Sequence, residues 1–190
     1  MLRSLLLSCL ICLAAAAAAA DPRATPWQTV IDHDLPLMGE GSWIVIADAA
    51  YPWFTNDAIK LVPVSTDHLA VLKILFATFA NDPHLQPMIS TDAELPFVAE
   101  RDAPGITHYR DQLARLLGKR PRMVQPHAEN VAAVNRAATF VHVIVLKTPM
   151  TLPYTAIFLR LDNAYWSPDA ERRLRAAMQE AANAAPAPAP

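Results

Sequence analysis

The chain has 190 residues and a formal charge of −2, and it contains no internal repeat, so one domain with a sizeable core is expected. Its basic residues form no stripe, which argues against nucleic-acid binding. Both cysteines, Cys9 and Cys12, lie close to the amino terminus, so the rest of the chain has neither disulfide nor thiolate chemistry.

The first 20 residues have the pattern of a cleavable secretory signal. Arg3 gives a positive start, Leu5–Leu13 is apolar, and Ala14–Ala20 offers small residues for cleavage. We therefore expect an exported protein, periplasmic or secreted, with no membrane segment after cleavage. A membrane anchor is one alternative, but it would need about 20 strongly apolar residues. A lipoprotein is another, although Cys9 comes early for lipid attachment.

Residues 21–180 are expected to form a single domain, and residues 181–190 a mostly disordered tail. The tail consists almost entirely of alanine and proline, a composition typical of extended, unpacked chain. Removal of the signal also removes Arg3, its only charged residue, and leaves a formal charge of −3.

Helical and strand-like segments alternate along this domain. The predicted helices cover residues 27–38, 67–81, 106–117, 128–138 and 168–182, and the predicted strands cover residues 43–47, 61–64, 86–90, 122–125, 140–146 and 155–161. Continuously apolar strands between helices indicate an α/β fold of three layers, with a mixed, mostly parallel sheet of about six strands. The short link between the last two strands allows them to form an antiparallel pair.

Polar residues stand at predicted strand ends, where ligands collect in open α/β sheets. Asp48 ends the first strand, and its carboxylate can accept hydrogen bonds from a polar ligand or cap a turn. His127 precedes the fourth helix, where it can shuttle a proton or simply occupy a helix start. Tyr154 precedes the last strand, where it can pack or present a hydroxyl and a flat face to a sugar ring.

Other motifs are missing or point to ordinary structural roles. The six histidines have no metal-type spacing, and there is neither a serine-nucleophile elbow nor a phosphate loop, so we expect no metal and no nucleotide. His142 is interpreted as a core or interface histidine. Asp92 and Glu94, after the third strand, either belong to the site or are solvated carboxylates, and the solvated interpretation is favoured.

The strand-end residues resemble, in order, the motifs of the D-ribose pyranase and L-fucose mutarotase family. That family carries L-G-H-x-D/N, an apolar strand and D-A-x-x-P, where residues 38–52 of this chain read MGEGS, WIVI and ADAAYP. It then carries a histidine before a helix, an apolar strand and T-G-E-x-x-P-Y-x-N. Here residues 126–161 include PHAE, FVHVIVL, KTPMTLPYTA and IFLRL. The ordered matches span nearly all of residues 27–161.

The resemblance implies an enzyme that opens and recloses the hemiacetal ring of a free sugar without a cofactor. Such enzymes exchange anomers, or pyranose and furanose forms, of a monosaccharide. It also implies a ring-like homo-oligomer with sites near subunit contacts. By the same resemblance, Asp48, His127 and Tyr154 line the sugar site.

Two positions depart from the family pattern. Glu40 stands where the family has its proton-donating histidine, and Ala156 stands where it has a sugar-binding asparagine. Because a glutamate can also transfer protons, the first hypothesis is an exported isomerase in which Glu40 and Asp48 are catalytic and Asp48, His127, Tyr154 and the position of Ala156 bind the sugar. The second hypothesis is a non-catalytic monosaccharide-binding protein on the same fold. The third is a structural oligomer of the cell envelope with no small ligand.

Overall fold

The computed structural model describes residues 26–184, which form five α-helices and six strands. The helices are α1 (Pro26–Asp34), α2 (His68–Ala80), α3 (Ile106–Leu117), α4 (His127–Ala137) and α5 (Pro168–Ala184). The strands are β1 (Trp43–Ala47), β2 (Ile59–Pro63), β3 (Leu85–Asp92), β4 (Arg122–Gln125), β5 (Val143–Lys147) and β6 (Ile157–Asn163). The predicted signal at residues 1–20 and the last six residues of the predicted tail lie outside the described residues.

The six strands form one sheet in the order β2-β5-β1-β6-β3-β4. β6 runs antiparallel to both of its neighbours, and the other adjacent pairs are parallel, which confirms the predicted mixed sheet. The antiparallel pair that the short link between the last two strands allows does not form, because β1 lies between them. Val45 pairs with Val145 of β5 on one side and with Phe158 of β6 on the other. β1 is buried along its whole length, as a central strand requires.

Helices cover both faces of the sheet and give it two apolar cores. On one face, α1, α2 and α3 contribute residues such as Trp27, Leu75 and Leu113. On the other face, α4 contributes Val134, which packs against residues such as Phe158. This arrangement confirms the predicted three-layer α/β architecture.

Local signals explain where several elements begin and end. The Asp67 carboxylate accepts the Ala70 N–H at 3.0 Å and caps α2, as expected for a residue at this position. α1 ends at Asp34 and a short 3₁₀ turn at Leu35–Leu37 follows, because Pro36 has no N–H for a continuing helix.

β5 begins three residues later than predicted. Phe140 is 91% exposed and precedes the strand. His142 is also exposed, so its interpretation as a core histidine is wrong.

α5 begins at a capping serine and packs little against the rest of the fold. The Ser167 hydroxyl accepts the Ala170 N–H at 3.1 Å. None of its described side chains is buried, and the helix continues to Ala184, into the first part of the predicted tail. Within residues 26–184, no helix combines the length and the apolar character needed to cross a membrane.

Candidate functional site

Sheet topology brings the ends of five strands and the start of the sixth to one edge. Because β1 to β5 are parallel and β6 is antiparallel, Asp48 after β1, Asp92 at the end of β3 and Tyr154 before β6 share this carboxyl edge. Ligands bind at such edges in open α/β sheets. We call the opposite side, where β1 begins and β6 ends, the amino edge.

A pocket of about 480 Å³ opens at the carboxyl edge. Its walls are Asp48 and the two alanines after it, His127, and the loop at residues 150–154. The structure therefore brings together three of the side chains predicted to form the site: Asp48, His127 and Tyr154. Its volume lies within the range of about 300–1,000 Å³ that is typical of small-molecule sites.

Asp48 is half-buried and holds the turn that follows β1. Its Oδ1 accepts the Ala50 N–H at 2.8 Å, so the turn-capping role considered for this residue is present. This bond uses one lone pair, and the rest of the carboxylate can still accept hydrogen bonds from a polar ligand.

His127 is held on several sides at the start of α4. Its Nδ1 lies 2.7 Å from Oδ2 of Asp92, and its main-chain N–H donates to the Glu94 carboxylate at 3.0 Å. The ring meets Tyr154 edge to face, with ring centroids 5.8 Å apart, and also contacts Phe158. Its side chain is 33% exposed. His127 is thus a fixed imidazole with one face in the pocket.

Asp92 belongs to a buried polar network, and its interpretation as solvated is wrong. Its side chain is 0% exposed, and its Oδ1 accepts the Asn130 Nδ2 at 2.9 Å. Asn130 Oδ1 in turn accepts the Ser90 hydroxyl at 2.7 Å and the Gln125 Nε2 at 2.6 Å. Burial raises the pKa of Asp92, although hydrogen bonds from Asn130 and His127 act in the opposite direction.

Sequence reasoning missed this network, although two signals pointed to it. Asp92 ends β3 as Asp48 ends β1, so the strand-end argument applies equally to both. Asn130 follows His127 by three residues, which places both side chains on one face of α4. Glu94 is half-buried against the start of α4, so its interpretation as solvated is also wrong.

A second buried network anchors the loop that carries Tyr154. His68 Nε2 lies 3.0 Å from the Thr155 carbonyl oxygen, and its Nδ1 lies 2.8 Å from the Thr148 hydroxyl. The Tyr109 hydroxyl also donates to the Thr155 carbonyl, at 3.0 Å. Burial lowers the pKa of His68 to about 4, so its ring is neutral at pH 7.

Tyr154 has a φ of 56°, in the left-handed region that side chains other than glycine rarely occupy. The anchored loop around it stabilises this conformation and leaves the side chain 40% exposed at the pocket. Tyr154 therefore lines the pocket and also packs against His127, so the structure accommodates both of the roles considered for it from the sequence.

Ala156 lies near the pocket but does not line it. It is 1% exposed and is buried among apolar residues that include Ala47 and Phe158. A methyl group supplies no hydrogen bond, so this position makes no polar contact with a ligand.

Glu40 lies at the amino edge and not in the pocket. It precedes β1 whereas Asp48 follows it, and five strand residues between them span roughly 15 Å. Its Oε2 accepts the Asn163 Nδ2 at 3.2 Å, at the end of β6. Glu40 lines a separate groove of about 870 Å³ together with Trp166 and other residues near the start of α5. Within one chain, the two predicted catalytic residues therefore lie at opposite edges of the sheet, Glu40 at the amino edge and Asp48 at the carboxyl edge.

Residues 26–184 contain no group of three or more histidine, cysteine, aspartate or glutamate side chains arranged to hold a metal ion. The acidic and imidazole groups at the pocket instead form hydrogen-bonded pairs, such as His127 with Asp92.

Several solved structures are similar to this chain, and they include the following three. FucU from Bifidobacterium longum is 17% identical, with a TM-score of 0.50 over 75% of this chain and 98% of that one. RbsD from Bacillus subtilis complexed with D-ribose is 16% identical, with a TM-score of 0.49 over 70% and 92%. The fucose mutarotase from Streptococcus pneumoniae in complex with L-fucose is 20% identical, with a TM-score of 0.46 over 73% and 92%.

The likeness to FucU confirms the fold that the sequence resemblance implied. At this level of identity it shows the fold alone, and the chemistry has to be argued from the residues of this chain. No protein-family model matches the chain, and no curated protein matches it in sequence.

Proposed function

We propose that this protein is a mutarotase- or pyranase-like isomerase of a free monosaccharide, exported by the signal at residues 1–20. The reaction opens and recloses the hemiacetal ring in the pocket at the carboxyl edge. The observation that carries the proposal is the convergence of Asp48, His127 and Tyr154 on one pocket of about 480 Å³. The family resemblance names the same three residues.

The chemistry needs little beyond correctly placed proton donors and acceptors. When the ring opens, the bond between the anomeric carbon and the ring oxygen breaks. The ring oxygen gains a proton and the anomeric hydroxyl loses one, so one acid and one base suffice. The Asp48 carboxylate can accept a hydrogen bond or a proton from the sugar. The exposed face of Tyr154 can pack against the apolar face of the sugar ring.

Glu40 can serve as the acid only from a second copy of the chain, because it lies on the amino edge of its own sheet. A homo-oligomer, which the resemblance implies, would bring the two edges of neighbouring copies together. Large exposed apolar side chains, among them Trp53, Phe97 and Phe140, support such contacts between copies. In this proposal, each complete site combines Asp48, His127 and Tyr154 of one copy with Glu40 of the next.

The test is exchange between sugar anomers, measured by NMR saturation transfer with and without the protein. D-ribose and L-fucose are the first members of a panel of pentoses and hexoses. We expect faster exchange for at least one sugar, with saturation at high sugar concentration. An unchanged exchange rate across the panel would refute the isomerase proposal.

A non-catalytic monosaccharide-binding protein is the second candidate function. It is favoured by the position of Glu40 outside the pocket of its own chain and by Ala156, which offers no polar group. This candidate predicts saturable binding by calorimetry without faster anomer exchange. A structural oligomer without a ligand is disfavoured, because such a protein has no need of a polar pocket at this edge.

A further inference from the structure

We infer that His127 is the base that takes the proton of the anomeric hydroxyl, and that buried Asp92 is the positioning residue that gives His127 this role. The inference rests on the proposed isomerase function and assigns a group that acts in the pocket of its own chain. In the proposed function as stated above, His127 only binds the sugar and Asp92 has no role in the reaction.

The first step of the argument is the protonation pattern of the His127 ring. Its Nδ1 lies 2.7 Å from Oδ2 of Asp92, and a carboxylate oxygen only accepts hydrogen bonds. The single proton of the neutral ring therefore lies on Nδ1, and Nε2 has a free lone pair. Among the described residues, Nε2 has no hydrogen-bond partner, and the ring borders the pocket. A ring nitrogen with a free lone pair is thus available on a side chain that lines the space where the sugar would bind.

The second step is the rigidity of Asp92. Asn130 accepts hydrogen bonds from Ser90 and Gln125 through its oxygen, so its amide nitrogen must point to Oδ1 of Asp92. This leaves Oδ2 for His127 alone. The carboxylate is fully buried, so no water competes for it. Buried residues that orient a histidine in this way set which of its nitrogens carries the proton.

The third step is the balance of the reaction. Nε2 takes the proton of the anomeric hydroxyl, the carbon–oxygen bond of the ring breaks, and a carbonyl group forms. The ring oxygen receives its proton from the acid of the proposed site, Glu40 of a neighbouring copy. The resulting imidazolium is stabilised by the Asp92 carboxylate. Reclosure on the other face of the carbonyl returns both protons, so the protein is unchanged.

Asp92→Asn tests the inference with almost no change of shape. Because the Asn130 nitrogen still requires an oxygen, the new amide must turn its NH₂ group towards Nδ1 of His127. The ring then carries its proton on Nε2, which becomes a donor, and the base is lost while the hydrogen bonds remain. We expect the rate constant for anomer exchange to fall about 10²-fold, with little change in sugar affinity. ¹⁵N NMR of the histidine nitrogens should show the proton moving from Nδ1 to Nε2.

Glu94→Gln is the matched control, since Glu94 binds the main-chain N–H of His127 and does not touch its ring nitrogens. The side-chain oxygen of a glutamine can accept the same N–H. The anomer-exchange rate and the tautomer of His127 should therefore stay as in the wild type. His127→Gln tests the inference independently, even if Asp92→Asn does not fold. Its rate constant for anomer exchange should also fall about 10²-fold.

Three results would overturn the inference and leave the isomerase proposal intact. The first is wild-type exchange in Asp92→Asn after its tautomer has switched. The second is wild-type exchange in His127→Gln, and the third is a wild-type His127 that carries its proton on Nε2. Failure of the isomerase proposal is recognised separately, because the wild-type protein would then accelerate exchange of no sugar, and the role of His127 as a base would fall with it.

Discussion

The two edges of the sheet carry similar side chains in very different surroundings. At the carboxyl edge, an asparagine amide donates to a carboxylate that is completely buried: Asn130 to Asp92. At the amino edge, the same pairing joins Asn163 to Glu40 and is exposed to solvent. Burial at the carboxyl edge orients an imidazole and a loop around a pocket. The amino edge has surface hydrogen bonds and a helix, α5, without a buried side chain.

This contrast shows why the residue types in a motif do not determine their roles. A carboxylate in water is held weakly, because water competes for every hydrogen bond. A buried carboxylate holds its partners in one geometry, because no water can replace them. Catalytic positioning is therefore expected at the carboxyl edge, and Glu40 contributes only if a second copy buries it.

The largest expected effect follows from placing Glu40 and Asp48 on opposite edges. Glu40→Gln and Asp48→Asn should each lower anomer exchange about 10²-fold or more, because each removes a group that acts on the sugar. When the two variants are unfolded together and refolded in equal amounts, roughly a quarter of the sites should combine an intact Glu40 with an intact Asp48. Saturation-transfer NMR should then show that part of the activity returns.

The matched control mixes Asp48→Asn with His127→Gln. Both residues come from the same copy, so every mixed site still lacks one of them and no activity should return. Wild-type exchange in Glu40→Gln alone, or no recovery in the first mixture, would contradict the assignment of Glu40 to a neighbouring site.

The second expected effect is a loss of stability in mild acid caused by His68. Burial lowers its folded pKa to about 4, from 6.5 in the unfolded chain. Below pH 6.5 the His68 ring binds a proton in the unfolded state but stays neutral in the folded state. The contribution of His68 to the free energy of unfolding is therefore fully present above that pH, and it decreases by about 3 kcal/mol as the pH falls to 4. Urea unfolding at pH 7 and pH 4 should show the advantage of the wild type over His68→Gln shrinking by this amount.

The comparison with His68→Gln separates this effect from that of Asp92, whose raised pKa acts with the opposite sign and favours the folded state as the pH falls. His142→Gln, at an exposed position, is the control for the loss of a histidine as such. A constant difference between wild type and His68→Gln across the pH range would show that the His68 ring is not held neutral by burial.

The smallest expected effect compares the two asparagines directly. Asn130→Ala should lower the free energy of unfolding by about 2–3 kcal/mol, because it removes the acceptor of Ser90 and Gln125 and one of the two hydrogen-bond donors to buried Asp92. Asn163→Ala should change it by about 0.5 kcal/mol or less, because water replaces the bond to Glu40. Urea unfolding measures both changes. Equal losses of the free energy of unfolding would show that the buried hydrogen bonds of the carboxyl edge contribute no more to stability than the exposed bond of the amino edge.

Much of the fold could be predicted from short-range patterns. β1, α3 and β4 begin and end where the apolar periodicity and the turn residues predicted, and Asp67 and Ser167 cap their helices as expected. Asp48 and His127 were found by a rule about strand ends, which needs only the parallel arrangement of most strands. Tyr154 precedes β6, and it reaches the same edge because β6 runs antiparallel to its neighbours. The position of Glu40 before β1 already implied that it cannot share an edge with Asp48 in one chain.

Local sequence determined the elements, the caps and the side chains offered at each strand end, because these depend on backbone geometry and nearby hydrogen bonds. Only the tertiary structure decided that β6 lies between β1 and β3, which brings Tyr154 to the pocket. It also decided that Asp92 is buried beneath His127. Burial depends on which distant segments cover a residue, and so an aspartate that looks solvated along the chain becomes the fixed partner of an imidazole in the fold.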